Sequence, residues 1–159
     1  SFDAFLKIDG CPGESSDKKH PNWIEILSYS FGISQQGGGS RSTSGAAGGG
    51  RADFADFTIT KGIDKATLKI LEHAATGKNI PVIQLELCRA TGNKQKYFHV
   101  QLADSIVSSV TPSGVKGADP SESVSFNFGE IKSSYTLTDH KTGAAGGDIA
   151  FGWNLTTNA

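Results

Sequence analysis

The chain has 159 residues, of which 15 are Lys or Arg and 16 are Asp or Glu, so its formal net charge is −1. This length fits one domain, residues 1–159, and the balanced charge excludes the basic surface expected of a nucleic-acid-binding protein. Apolar runs stay well short of the ~20 residues that a membrane-spanning helix requires, which excludes membrane insertion of that kind.

A short strand and a longer one are predicted at the start of the chain. Phe2–Ile8 alternates apolar and polar residues, and Trp23–Ser34 does the same, which predicts one continuous strand in each segment. The predicted core face of the longer strand carries Trp23, Leu27, Tyr29, Phe31 and Ile33. Its other face becomes small and polar through Ser28, Ser30 and Ser34. The longer strand is therefore predicted to have one buried face and one solvated face.

A tract rich in glycine and serine, Gln35–Arg51, separates this strand from one predicted over Phe54–Thr60. Seven of its 17 residues are Gly and three are Ser, so it cannot bury enough apolar surface to offset the entropy of ordering it. A loop of this length is uncommon inside a compact domain. Two interpretations stand at this point: a mobile surface loop, or a segment that becomes ordered only against another copy of the protein.

The second half of the chain is predicted to hold one helix and four strands. The helix covers Lys65–Thr76, with Asp64 as its N-cap and Gly77 at its end, and its apolar stripe is Leu68, Leu71 and Ala75, flanked by Ile70 and Ala74. The strands are Pro81–Arg89, Phe98–Val110, Glu122–Tyr135 and Asp148–Leu155, with a hairpin turn in Ala90–Gln95. About seven strands and one helix predict a mainly β domain, either a sandwich or a closed barrel with the helix packed on it.

The residue pattern gives no catalytic or metal site. None of the four histidines stands in metal-ligand spacing, and neither a G-x-S-x-G elbow nor a phosphate-binding Gly-Lys-Ser/Thr motif occurs. Ser15 lies on a predicted turn, where serine commonly bonds its own backbone. Cys11 precedes Pro12 and has no evident base that would lower its pKa. We therefore expect no catalytic residue, cofactor or metal.

The two cysteines, Cys11 and Cys88, lie far apart and outside any CxxC pair. They are predicted to be reduced and partly buried, because a free cysteine behaves as a small hydrophobe. One bridge between them is the alternative. The lack of a disulfide framework indicates folding in a reducing compartment. Phe2–Ile8 is too short for the apolar region of a signal peptide, so none is expected.

Segments along nearly the whole chain, in order, resemble the Hcp family, the tube proteins of bacterial type VI secretion. The first are Phe5–Ile8, Gly13–Lys18 and Trp23–Ser28, and the longest is Phe57–Thr67, which reads FTITKGIDKAT. Later segments are Val107–Val110, Glu122–Val124, Tyr135 and Gly152–Asn154. A single segment would be weak evidence, but their common order over about 150 residues is specific.

The resemblance implies a two-sheet β-barrel with one helix on its side, and a structural function rather than an enzymatic one. It implies homohexameric rings that stack into a hollow tube inside a contractile sheath and below a spike protein. Family members also carry small effector proteins in the ring. Assembly in the bacterial cytoplasm and secretion without a signal peptide are implied as well.

Two groups of site residues follow as hypotheses. The glycine-rich tract is expected to be an inter-subunit arm, because glycine allows close backbone approach, and its candidate contacts are Gln36, Gly38, Arg41, Ser44, Gly48 and Arg51. The small hydroxyl face at Ser28, Ser30 and Ser34 is expected to line a water-filled lumen, because the wall of such a lumen must not bind its contents tightly.

Two other classes of function are compatible with a mainly β chain. A carbohydrate-binding β-sandwich would stack exposed Trp or Tyr on sugar rings, but Trp23 and Trp153 stand among apolar neighbours, which favours packing roles. A hydrolase that uses scattered Ser and His has no motif in its favour.

Overall fold

The computed structural model describes residues 1–37, 49–90, 94–139, 141–142 and 144–159. In those residues the chain forms eleven strands and one helix, α1 (Thr67–Thr76). The strands are β1 (Phe2–Ile8), β2 (Ile24–Glu25), β3 (Ser28–Ser30), β4 (Ile33–Gly37), β5 (Gly49–Phe54), β6 (Phe57–Gly62), β7 (Ile80–Arg89), β8 (Lys96–Ser113), β9 (Ser121–Asn127), β10 (Glu130–Thr138) and β11 (Ala145–Asn154). The predicted mainly β fold with one helix is confirmed.

The long strand β8 belongs to two sheets and joins them. Its first part pairs with β7 and β10, which gives a first sheet in the order β2-β1-β7-β8-β10-β11. Its last part, from Ile106 to Ser113, pairs with β9 and gives a second sheet in the order β8-β9-β6-β3. Asp104, with φ of 51°, lies where β8 passes from one sheet to the other. Strands β4 and β5 form a separate antiparallel hairpin.

The core lies between the inner faces of the two sheets. Alternating apolar residues supply it, as in β6, where Phe57 and Ile59 are buried and Thr58 between them is partly exposed. The helix packs near β8 and buries Thr67, Ile70 and His73. Within the described part of the chain, no helix has the length and apolarity to cross a membrane.

The prediction of one strand over Trp23–Ser34 is wrong, because the chain changes sheets in the middle of it. The N–H of Ile26 donates to the carbonyl of Ala4 in the first sheet (3.1 Å), and the N–H of Leu27 donates to that of Thr60 in the second (2.8 Å). This crossing shifts the alternation, so that Ile26 is buried and Leu27 is 68% exposed. The segment is divided into β2, β3 and β4.

Two other predicted strands are also divided. Phe54–Thr60 is interrupted after Phe54, and Glu122–Tyr135 contains the turn between β9 and β10. At that turn the N–H of Gly129 donates to the carbonyl of Ala103 (3.0 Å), and a Cβ at Gly129 would stand 3.3 Å from the Cβ of Asp104. Because the backbone approaches Asp104 so closely, glycine is favoured at this turn, where the chain reverses from β9 into β10.

The predicted stripe of the helix is rotated from its expected centre. Leu68, placed within the stripe, is 75% exposed, whereas Ile70, placed at its flank, is fully buried. Asp64 does not cap the helix itself: its carboxylate accepts the N–H of Ala66 (2.9 Å), which closes a turn ahead of α1, and Ala66 is the N-cap. The predicted end is confirmed, since Gly77 adopts φ of 65°.

Candidate assembly and channel surfaces

The outer face of the second sheet carries aligned hydroxyl groups. Two rows cross its four strands in register: Ser28–Thr60–Ser123–Thr111 and Ser30–Thr58–Ser125–Ser109. The Oγ of Ser28 lies 2.6 Å from the Oγ1 of Thr60, and the Oγ1 of Thr58 lies 2.9 Å from the Oγ of Ser125. These rows, which we call the hydroxyl face, contain no charged side chain. They can hydrogen-bond to water or to a polar surface without forming ion pairs.

The three serines predicted to line a lumen do not all lie on the hydroxyl face. Ser28 and Ser30 are exposed there, on β3. Ser34 is exposed as well, but it lies on β4 and pairs with Asp53 in the separate hairpin. The structure therefore brings two of the three together on one surface.

The glycine-rich tract is described only at its ends. Gln35 pairs with Ala52, and Gly37 pairs with Gly49, so both ends continue the β4–β5 hairpin and Gln36 lies within β4. The candidate arm residues between those ends, Gly38, Arg41, Ser44 and Gly48, lie outside the described residues.

Arg51, the last candidate arm residue, holds the base of this hairpin to the C-terminal segment. Its Nη2 donates to the carbonyl of Leu155 (2.7 Å). On the same side, the Phe54 ring stacks on Trp153 with centroids 6.4 Å apart and meets Phe128 edge-on at 6.2 Å. Trp153 thus has the packing role that the sequence favoured. These contacts place the base of the tract beside the end of β11.

Strand β11 is an open edge with an apolar face. Among the described residues it pairs only with β10, and its first eight residues are exposed. Four side chains of the β10–β11 hairpin form this face, which continues the inner side of the first sheet. They are apolar and exposed: Tyr135, Leu137, Ile149 and Phe151. Asp148 is the only charged residue of β11. A long, nearly uncharged edge invites pairing with another chain.

Cys11 and His73 form a buried pair that the sequence did not indicate. The Sγ of Cys11 lies 3.8 Å from the Nδ1 of His73. That Nδ1 also lies 2.8 Å from the carbonyl oxygen of Lys69, which can only accept a hydrogen bond, so Nδ1 carries the proton and cannot take one from the thiol. Burial raises the pKa of Cys11. The pair is therefore not arranged as a nucleophile and its base.

Ser15 and His99 have structural contacts. The Oγ of Ser15 accepts the N–H of Asp17 (3.2 Å), which is the local turn bond that the sequence predicted. His99 lies 3.2 Å from the Oε1 of Gln84, and burial lowers its pKa. His140 lies outside the described residues. In the part of the chain that is described, no three His, Cys, Asp or Glu groups are placed to hold a metal ion.

Both cysteines are buried free thiols, as predicted, and should therefore react slowly in the folded chain. Burial, reinforced by the nearby charge of Glu86, raises the pKa of Cys88 to about 11. Its thiolate fraction at pH 8 is then roughly one thousandth, so a thiol reagent should react ~100-fold slower than after unfolding. Single Cys11→Ala and Cys88→Ala variants assign each rate by mass spectrometry. Equal rates in the folded and unfolded chain would contradict this placement.

A buried ion pair ties the start of the helix to the second sheet. The Nζ of Lys61 lies 2.7 Å from the Oε1 of Glu122 and 2.8 Å from the Oδ1 of Asp64, and the side chains of Lys61 and Glu122 are fully buried. The Oε2 of Glu122 has no hydrogen-bond partner among the described residues. Lys61 and Glu122 are neighbours across β6 and β9, which is a contact that sequence spacing could not reveal.

Four similarities to known proteins agree with this fold. The family described as "Type VI secretion system effector, Hcp" matches residues 5–135. Protein hcp1 of Pseudomonas aeruginosa is 35% identical over 160 residues, which cover 99% of this chain and 98% of that protein. A solved structure of a type six secretion system protein has a TM-score of 0.93 at 33% identity and covers 100% of this chain and 99% of its own. Hcp1 from Salmonella typhimurium gives 0.82 at 30% identity, with 100% and 99% covered.

Proposed function

Because this chain belongs to the Hcp family of type VI secretion proteins, we propose that it is a structural subunit of the secretion tube and has no catalytic activity. Residues 1–159 form one barrel subunit in this proposal. Six copies close into a ring, and rings stack into a hollow tube that contacts sheath and spike proteins. The tube assembles in the bacterial cytoplasm and leaves the cell without a signal peptide.

The open edge of β11 is the observation that carries this proposal. A ring requires a head-to-tail contact in which one surface meets a different surface of the next copy. As far as the described residues go, the β10–β11 hairpin leaves the outer edge of β11 unpaired, and it exposes Ile149 and Phe151 on its face. A neighbouring copy that covers this edge satisfies the backbone and buries the apolar side chains together.

The hydroxyl face supports a role as the wall of the tube. Its small, uncharged side chains allow cargo to be held weakly and to move, since they offer hydrogen bonds without a fixed charge pattern. Small effector proteins are the proposed cargo. Ser28 and Ser30 are the candidate wall residues that lie on this face, while Ser34 is proposed to follow on β4.

The arm proposal predicts that the glycine-rich tract is needed for assembly. Deleting Gly37–Gly50 should leave a folded subunit but reduce ring or tube formation, because the tract is proposed to reach an adjacent subunit or ring. Light scattering gives the native mass, and electron microscopy shows tubes. A matched control replaces the same tract with a Gly/Ser linker of equal length. Rings, tubes and secretion that stay unchanged after the deletion would refute the arm.

The wall proposal predicts that position 30 becomes hard to reach in the assembled tube. A Ser30→Cys variant should react with a bulky maleimide when disassembled, and several-fold more slowly in tubes whose ends are blocked. The buried native thiols serve as the internal background. A Lys116→Cys variant, at an exposed loop position, is the comparison outside the hydroxyl face. Equal labelling of Ser30→Cys with open and blocked ends would argue against an inward face.

A further inference from the structure

Arg89, at the end of β7, has no carboxylate partner in its own subunit. The ion pairs of the described residues do not include it. All 16 Asp and Glu residues of the chain lie in the described ranges, so no further acidic side chain is left to pair with it. A carboxylate that pairs with Arg89 therefore has to come from another chain.

The guanidinium of Arg89 is fixed in place but only partly hydrogen-bonded. Its Nη2 donates to the Oγ1 of Thr138 on β10 (3.0 Å), and its Cζ lies 4.9 Å from the centre of the Tyr97 ring. Its Nε is buried and has no hydrogen-bond partner among the described residues, although the residue as a whole is half-buried. An arginine already held by a ring and a hydroxyl loses little side-chain entropy on binding, so Arg89 is preorganised to take a carboxylate.

The guanidinium adjoins the apolar face of the β10–β11 hairpin. Tyr97 meets Tyr135 edge-on, with ring centroids 6.5 Å apart. Tyr135 is one of the four exposed side chains of that face, which we call the hairpin face. A surface that matches the hairpin face and Arg89 together should therefore present apolar side chains with a carboxylate beside them.

A surface of this kind lies beside β2. Leu27 is 68% exposed and Ile63 is 45% exposed, and they line a groove of about 410 Å³ together with Glu14 and Glu25. Among the described residues, no Lys or Arg lines this groove, which we call the β2 groove. Glu14 accepts the N–H of Lys65 (2.9 Å), whereas Glu25 is exposed and has no ion-pair partner in the described part of the chain. Glu25 is therefore the carboxylate that is available to another chain.

The order of the strands places the two surfaces where a closed ring requires them. The first sheet runs β2-β1-β7-β8-β10-β11, so β2 and β11 are its opposite edges. A head-to-tail contact joins two different surfaces of identical copies, and every copy uses both. The β2 groove and the hairpin face meet this requirement, since both are apolar and their unpaired charges are opposite.

We propose that the hairpin face of one copy packs on the β2 groove of the next copy, and that Arg89 forms an ion pair with Glu25 across this contact. The proposal rests on the ring of the proposed function and names the surface that the open edge of β11 meets. The ion pair also selects the head-to-tail arrangement, because two hairpin faces packed on each other would bring Arg89 of both copies together.

Charge reversal at each position tests the pair. Arg89→Glu and Glu25→Arg should each raise the protein concentration at which rings form by about tenfold or more, because like charges then meet. An equimolar mixture of the two variants should restore the rings, since every contact in a ring of alternating copies again joins opposite charges. The double variant should restore them for the same reason. Light scattering gives the native mass, and circular dichroism shows that each subunit is folded.

Matched controls and the contradicting outcomes separate the pair from the ring itself. Lys116→Glu and Asp119→Arg reverse charges in one exposed loop outside both surfaces and should leave ring formation unchanged. Unaltered rings in both single variants, or a loss that neither the mixture nor the double variant reverses, would overturn the pair and leave the proposed tube function intact. A chain that forms no rings without any substitution would overturn both proposals.

A milder variant keeps the test decisive if Arg89→Glu fails to fold. Arg89→Gln removes the charge without reversing it. Combined with Glu25→Arg, it should form rings at a lower concentration than Glu25→Arg alone, because two facing cations are reduced to one. No gain from the combination would contradict the pair.

Discussion

Replacing Lys61 by Met is expected to destabilise the folded chain by about 3–5 kcal/mol, because it leaves the buried carboxylate of Glu122 without a counter-charge. The side chains of Lys61 and Glu122 are both fully buried, and the Lys61 ammonium is the ion-pair partner of Glu122. The second carboxylate oxygen of Glu122 already lacks a partner among the described residues. Removing the ammonium also deprives Asp64, at the turn that precedes α1, of its ion-pair partner. Urea unfolding at one fixed protein concentration measures the loss.

Lys132→Met is the matched control for this prediction. Lys132 lies 3.6 Å from Glu130, but its side chain is 66% exposed, so the same change should cost less than about 1 kcal/mol. A double variant, Lys61→Met with Glu122→Leu, removes both charges and should recover much of the stability. A Lys61→Met chain as stable as Lys132→Met would show that the buried pair does not hold the helix to the sheet.

The sequence predicts what depends on near neighbours in the chain. The period-two alternation of Phe2–Ile8 coincides with β1, and Gly77 marks the helix end because a left-handed residue there has a local cause. The fold class follows from the same local patterns. Alternation fails at Ile26 and Leu27, since a crossing between sheets depends on distant partners, Ala4 and Thr60.

The surfaces were less predictable than the fold for a similar reason. Alternation alone marks Ser28 and Ser30 as a polar face, but the hydroxyl face also needs Thr58 and Ser125, which only strand register brings beside them. The partners of His20, Asp17 and Glu86, are three and 66 residues away, so only the nearer was within the reach of a local pattern. The open edge of β11 depends on the order of strands in the sheet, and this order cannot be predicted from the sequence of each strand taken alone.

Replacing Ile149 by Asp is expected to reduce the native mass from a ring to a single chain of 16.7 kDa. Ile149 is 61% exposed in the subunit, so the change should cost little in the stability of the isolated fold. In the proposed ring, the new carboxylate would be buried against the next copy without a partner. A loss of about 2–4 kcal/mol at each contact is typical of a central interface residue, and a ring repeats it at every boundary.

Leu68→Asp makes a comparable change at an exposed apolar side chain on α1, away from β11, and should keep the ring. Light scattering of both variants, with circular dichroism to show that each subunit is folded, separates the edge from a general effect of added charge. Rings that persist in folded Ile149→Asp would exclude the face of the β10–β11 hairpin from the subunit contact. Loss of rings in both variants would point to assembly that is sensitive to charge wherever it lies. Loss in Ile149→Asp alone places the subunit contact at the β10–β11 hairpin, whose outer strand β11 has an open edge among the described residues that a neighbouring copy can cover.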